Sequence, residues 1–175
     1  MNPFNFPMLI LVITGVTVLS AAIHDHRSRL IPNRITFAAM LAGLVLHGVH
    51  AGWSGLWFSF TGLALGGGML LFFYLLGGMG AGDVKLLAGV GALIGVEKVF
   101  AAFILTVIAG GLLALVQIIR QDAFKNIFSR IKNSARDFSY QKHFRLDDKS
   151  EAPGKNTLPY GVAIAIGTLI TCITK

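Results

Sequence analysis

Residues 99–119 read VFAAFILTVIAGGLLALVQII, 21 positions without a single charged side chain. As a helix this run rises about 30 Å, the thickness of a bilayer's hydrocarbon core. Working outward, Glu97-Lys98 separates it from a shorter apolar run, Val84–Val96, and Leu56–Leu76 is a second run of full spanning length. Pro7–Ile23, Ile35–His50 and Leu158–Ile173 complete a set of six, separated by polar or glycine-rich breaks. The composition agrees: of 175 residues, 54% are hydrophobic and 13% charged. Soluble domains carry about 25% charged residues. The pattern predicts an all-α, polytopic membrane protein with about six transmembrane helices, residues 1–175 forming one domain. Val84–Val96 is the weakest of the six, since 13 residues rise only about 20 Å.

A net charge of +7 could suggest nucleic acid, but in a chain this apolar basic residues mark one face of a membrane, and no nucleic-acid partner is expected. With the N-terminus outside, Arg27, Arg29, Arg34, Lys85 and nine basic residues between Arg120 and Lys155 fall inside, against Lys98 and Lys175 outside. That asymmetry predicts both termini outside. The first segment lacks a basic stretch ahead of its apolar run, so it is read as a helix that stays, not a cleaved signal. Between helices 5 and 6, residues 120–157 form the one long polar segment. In it Phe124, Ile127, Phe128, Ile131, Ala135 and Phe138 recur at helical spacing among Lys and Arg. An amphipathic helix on the cytoplasmic face is expected there, its basic side toward anionic lipid.

Carboxylates are scarce where the chain is most apolar. Six of the eight lie at Glu97 or beyond, leaving Asp25 and Asp83 alone in the first 96 residues. The topology brings both to the inner face, Asp25 just past helix 1 and Asp83 at the start of helix 4. A lone boundary Asp needs no function, because Arg27 and Arg29 or Lys85 could neutralise it. A close pair does something a single one does not. Two neighbouring carboxylates share one proton, so the anion can deprotonate an attacking water while the acid hydrogen-bonds the scissile carbonyl. Peptide hydrolysis then needs no metal, cofactor or covalent intermediate.

The flanking residues sharpen this. Gly77-Gly78-Met79-Gly80-Ala81-Gly82 precedes Asp83, a backbone able to bend and to approach another chain closely. As a phosphate loop it fails, lacking the Gly-Lys-Ser/Thr ending. Asp25-His26-Arg27-Ser28-Arg29-Leu30 leads into Ile31-Pro32-Asn33, where Pro32-Asn33 is expected to end the loop and cap helix 2.

Together the two motifs resemble the type IV prepilin peptidases, membrane aspartyl proteases of the Gly-x-Gly-Asp class. Five residues separate Asp25 from Ile31-Pro32-Asn33, and Gly80-Ala81-Gly82-Asp83-Val84-Lys85 matches Gly-x-Gly-Asp-x-Lys. Pro159-Tyr160-Gly161 is similar to the family's helix 6 segment. The resemblance implies Asp25 and Asp83 as the catalytic pair, with Gly80, Gly82, Lys85, Pro159, Tyr160 and Gly161 shaping the site. It also implies an inner-membrane endopeptidase whose active site faces the cytoplasm and whose substrates are prepilins with an apolar N-terminal helix. Larger family members carry a four-cysteine cytoplasmic domain and methylate the new terminus. Cys172 is the only cysteine here, so cleavage without methylation is expected, as in the short members of tight-adherence pilus systems.

Other candidates are weaker. His24 and His26 flank Asp25 but read as interface residues, and His47 and His50 fall on the opposite face. Five histidines without HExxH argue against a metalloprotease, and no Gly-x-Ser-x-Gly supports Ser20 or Ser28 as a nucleophile. Trp53 and Trp57 suit an aromatic belt, and Gly62, Gly66, Gly67 and Gly68 suit close helix packing. The competing class is a small proton- or ion-coupled transporter. Such proteins favour midplane carboxylates and duplicated halves, and this chain has neither. Nothing in the sequence bears on oligomeric state.

Overall fold

A computed structural model describes residues 5–76, 79–120 and 160–174. Among them it is all-helical, with α1 over Asn5–Ser28, α2 over Asn33–Leu75, α3 over Ala81–Arg120 and α4 over Tyr160–Ile173. Three helices are long and apolar enough to cross a membrane, over Phe6–Ser28, Asn33–Leu75 and Ala81–Val116, while α4 is apolar but shorter. The expected amphipathic segment at 120–157 and Pro159 lie outside the described residues, apart from the last backbone position of α3.

The expectation of six separate helices is met by four, because the two longest turn back within themselves. A straight helix of 43 residues would be about 64 Å long. In α2, Ala51 (φ −128°, ψ 15°) and Gly52 (φ 59°, ψ −135°) leave the helical region. Gly52 has no Cβ to oppose a positive φ, so the reversal costs little there. A Cβ on Gly48 would sit 3.0 Å from Leu56, residues that a straight helix holds about 12 Å apart along its axis. In α3 the break is Gly95 (φ 80°, ψ 178°), packed beneath the ring of Phe58.

Cross-helix contacts give the directions. Thr36 and Gly43 of α2 meet Gly89 and Ala92 of α3, so these halves run parallel. Past Gly52 the order inverts, with Gly62 against Gly91 and Gly66 against Leu87. Beyond Gly95 the chain returns again, since Gly66 also meets Val99 and the Phe73 ring meets Phe103 at 6.2 Å. Helix α4 runs back along this second half of α3, Tyr160 near Gly110 and Gly167 near Ala102 and Thr106. The result is an up-and-down bundle. One end holds the last turn of α1 and the first turns of α2, α3 and α4; the other holds both reversals.

The segment that looked weakest by length is the centre of the molecule: every residue from Leu86 to Gly95 is buried. It is enclosed by protein, so it needs neither spanning length nor a lipid-facing surface. Small residues let its neighbours close in, Gly43 onto Ala92 and Gly62 onto Gly91, a packing mode suited to bilayers where apolar contact alone gives little drive for association. Of the glycines expected to pack, Gly62, Gly66 and Gly67 do so, while Gly68 has no neighbour within 4 Å.

Breaking α3 at Gly95 strips the last carbonyls of its first half of their intrahelical partners. Two side chains from α2 supply replacements. His47 Nε2 donates to the Leu93 carbonyl at 2.9 Å, and Ser59 Oγ donates to the Ala92 carbonyl at 2.8 Å. His47 is thus a helix cap at the end remote from the aspartates. Trp53 and Trp57 lie exposed near the α2 reversal, their rings edge-to-face at 6.3 Å.

Candidate active site

Asp25 lies inside α1, not beyond it as the sequence suggested. The helix continues through the polar residues to Ser28, because backbone bonds are satisfied whether the side chains are apolar or not. It stops where Arg29 adopts a left-handed conformation (φ 55°) and donates its N–H to the Asp25 carbonyl at 2.9 Å. Ser28 Oγ donates to the His24 carbonyl at 2.7 Å. Placed one turn before the end, the Asp25 side chain faces the bundle and is 5% exposed. Its Oδ2 accepts the Gly161 N–H at 2.8 Å, from the first turn of α4. Only glycine fits at 161, since a Cβ would lie 2.9 Å from both Cβ and Oδ2 of Asp25. Arg29 interacts with Asp25 electrostatically.

Asp83 is the third residue of α3 and 7% exposed. Its Oδ2 accepts the Gly80 N–H at 3.1 Å, while its own N–H donates to the Gly80 carbonyl at 3.1 Å. The side-chain bond back to the Gly80 N–H is one half of a capping box; Gly80 has no side chain to give the other half, and its backbone carbonyl takes the Asp83 N–H instead, so the two bonds fix where α3 starts. The Asp25 and Asp83 carboxylates are close enough to interact electrostatically.

Both aspartates line one cavity of about 460 Å³, shared with Arg29, Leu30, Ile31, Gly80, Gly82 and Lys85 among others. That volume is in the range of small-ligand sites, about 300–1,000 Å³. Gly82 packs on Ile31, where a Cβ would come within 3.1 Å of the Ile31 Cβ. Tyr160 is half-buried in the first turn of α4, its ring packed on Gly110 and its hydroxyl within electrostatic reach of Asp83. His24 stays outside the site, exposed and bonded through Nδ1 to the Ser20 carbonyl at 2.9 Å. Among the described residues, no three His, Cys, Asp or Glu side chains group as metal ligands would.

Asn33 is the residue the sequence misassigned. The N-cap of α2 is Pro32, with no side-chain cap bond, and Asn33 is the first helical residue. Its Oδ1 instead accepts a bond from Lys85 Nζ at 3.0 Å, linking the two motifs. Its place in Ile31-Pro32-Asn33 was the available signal, but Asn before an apolar run reads locally as a cap. In the sequence Arg29 reads as an inside-face charge that could neutralise Asp25, and its place in the cavity wall depends on where α1 ends.

The sequence pattern of the type IV leader peptidase family matches residues 9–115, a stretch containing both aspartates and both motifs. The chain belongs to the type IV leader peptidase family. No curated protein and no solved structure matches it. Membership in the leader peptidase family makes the chain a peptidase and gives no support to a transporter.

Proposed function

We propose that the chain is a membrane-embedded aspartyl endopeptidase that removes leader peptides from prepilins, with Asp25 and Asp83 as its catalytic pair. One observation carries the reading: aspartates 58 positions apart in sequence line the same cavity, at the bundle end where α3 and α4 begin. In the reaction the two carboxylates hold one proton between them. The ionised one takes a proton from a water as its oxygen attacks the peptide carbonyl; the neutral one hydrogen-bonds the carbonyl oxygen as charge develops. Collapse of the tetrahedral intermediate breaks the C–N bond, and a proton passes to the leaving amine. The Gly161 and Gly80 amides hold the carboxylates in place meanwhile.

Six membrane crossings follow if each half of α2 and α3 spans separately, supported by their reversals at Ala51-Gly52 and Gly95. Arg27, Arg29, Arg34 and Lys85 all occupy the aspartate end and Lys98 the other, which supports a site facing the cytoplasm from a bacterial inner membrane. The pilin would be a small one of the tight-adherence type, cleaved but not methylated.

The test is co-expression with a candidate prepilin, following the leader's size shift. Asp25→Asn and Asp83→Asn should each abolish cleavage, and chelators should leave the wild type active. Cleavage by either variant at the wild-type rate removes the dyad.

A further inference from the structure

Neither aspartate is held directly by the other's helix. Asp25 is fastened to α4 through Gly161, and Asp83 to its own N-cap, Gly80. Beside the cavity, two packing and hydrogen-bond contacts run between the motifs among the described residues: Ile31 against Gly82, and the Lys85–Asn33 hydrogen bond. We propose that the Lys85–Asn33 bond is a strut that sets the spacing of the two aspartates, making both residues positioning residues for cleavage. The inference rests on the dyad reading above.

The bond lies at the exposed rim of the site, and what makes it a strut is where its two ends sit, each at a helix start beside an aspartate. Lys85 is two residues from Asp83 and the fifth residue of α3, so its backbone moves with that carboxylate. Asn33 opens α2 immediately after the turn that leaves α1, and its Oδ1 is 3.0 Å from Lys85 Nζ. The ammonium also lies over the Phe37 ring, 5.6 Å from its centroid. Phe37 is one turn beyond Asn33, so two successive turns at the start of α2 hold the lysine head at two points. A charged donor to a neutral acceptor is stronger than an ordinary neutral bond, and the cation–π contact adds to it. With Lys85 engaged on α2, α3 cannot slide along α2 without breaking the bond. Such a slide would carry Asp83 relative to Asp25. Because catalysis depends on placement more steeply than binding does, loss of the strut reduces turnover before it reduces substrate affinity.

Asn33→Ala, Lys85→Met, their double variant and Asn33→Asp are compared in the full chain, purified in detergent, on a prepilin substrate. Asn33→Ala should lower kcat about three- to tenfold with KM unchanged. Lys85→Met should lose somewhat more, since it also gives up the Phe37 contact. The double variant should fall no further than Lys85→Met alone, and Asn33→Asp, whose carboxylate still accepts from Lys85, should stay within about twofold of wild type. The strut is overturned if Asn33→Ala keeps full kcat, if the two losses multiply, or if only KM changes. It is also overturned if Asn33→Asp loses as much as Asn33→Ala. Asp25→Asn and Asp83→Asn run alongside. Activity in either removes the dyad itself, whereas inactive aspartate variants with multiplying losses at 33 and 85 remove the strut alone.

Discussion

Replacing Gly161 by alanine tests how closely Asp25 must be held. The Cβ of an alanine there would stand 2.9 Å from Asp25 Cβ and Oδ2 and 3.1 Å from Cγ, three atoms of one short, buried side chain. Ordinary carbon contacts need about 3.5–4.0 Å, so α4 and the carboxyl group must separate by roughly 0.6–1.1 Å. Overpacking of this kind costs about 1–3 kcal/mol of stability. The same displacement stretches the 2.8 Å bond from the Gly161 N–H beyond useful length and turns the carboxylate away. A misplacement of about 1 Å in a catalytic group costs on the order of 10²-fold in rate. Gly161→Ala should therefore cut prepilin cleavage about a hundredfold while the protein still accumulates in membranes. Gly111→Ala is the control, because nothing lies within 4 Å of its added methyl, and cleavage should be unchanged. The assay is the time course of leader removal, normalised to folded protein measured by thermal melting in detergent. If Gly161→Ala is folded and cleaves at the wild-type rate, Gly161 does not set the Asp25 geometry and the argument from this contact fails.

Three further outcomes are expected. Gly62→Ala should lower the melting temperature through about 1–3 kcal/mol of lost stability, since its methyl would meet the Gly91 backbone, which has no rotamer with which to move aside. Ser59→Ala should cost about 1–3 kcal/mol by leaving the buried Ala92 carbonyl without its donor, with cleavage kinetics unaltered because the change lies at the remote end. Finally, cleavage by a dyad acting in its singly protonated form should give a bell-shaped pH–rate profile whose two limbs belong to the pair, and a rate flat from pH 4 to 9 would contradict it.

Much of this was legible locally. Twenty-one uncharged residues at 99–119 can be little other than a buried or membrane helix, and the breaks at Ala51-Gly52 and Gly95 lie at or close to the gaps between apolar runs. Asp83 at a helix start and Gly161 at another were readable from glycine and charge placement. The end of α1 was not, because hydropathy falls at His24 while the backbone stays helical to Ser28. Nor was the importance of Val84–Val96, whose shortness argued against it. Length is a criterion for helices that face lipid, and Leu86–Gly95 faces protein on every side.

By itself, then, the sequence determined the solvent this chain suits, the approximate limits of its apolar runs, and the two motifs that mark its family. Those properties depend on composition and on neighbours within a few positions. Only the tertiary structure decided that Asp25 and Asp83 share a cavity, that Gly161 holds one of them, and that Asn33 reaches Lys85 instead of capping its own helix. Each of these joins residues dozens of positions apart, and what joins them is the close approach of helices, which Gly43, Gly62, Gly66 and Gly91 permit between α2 and α3 and Gly161 permits between α1 and α4.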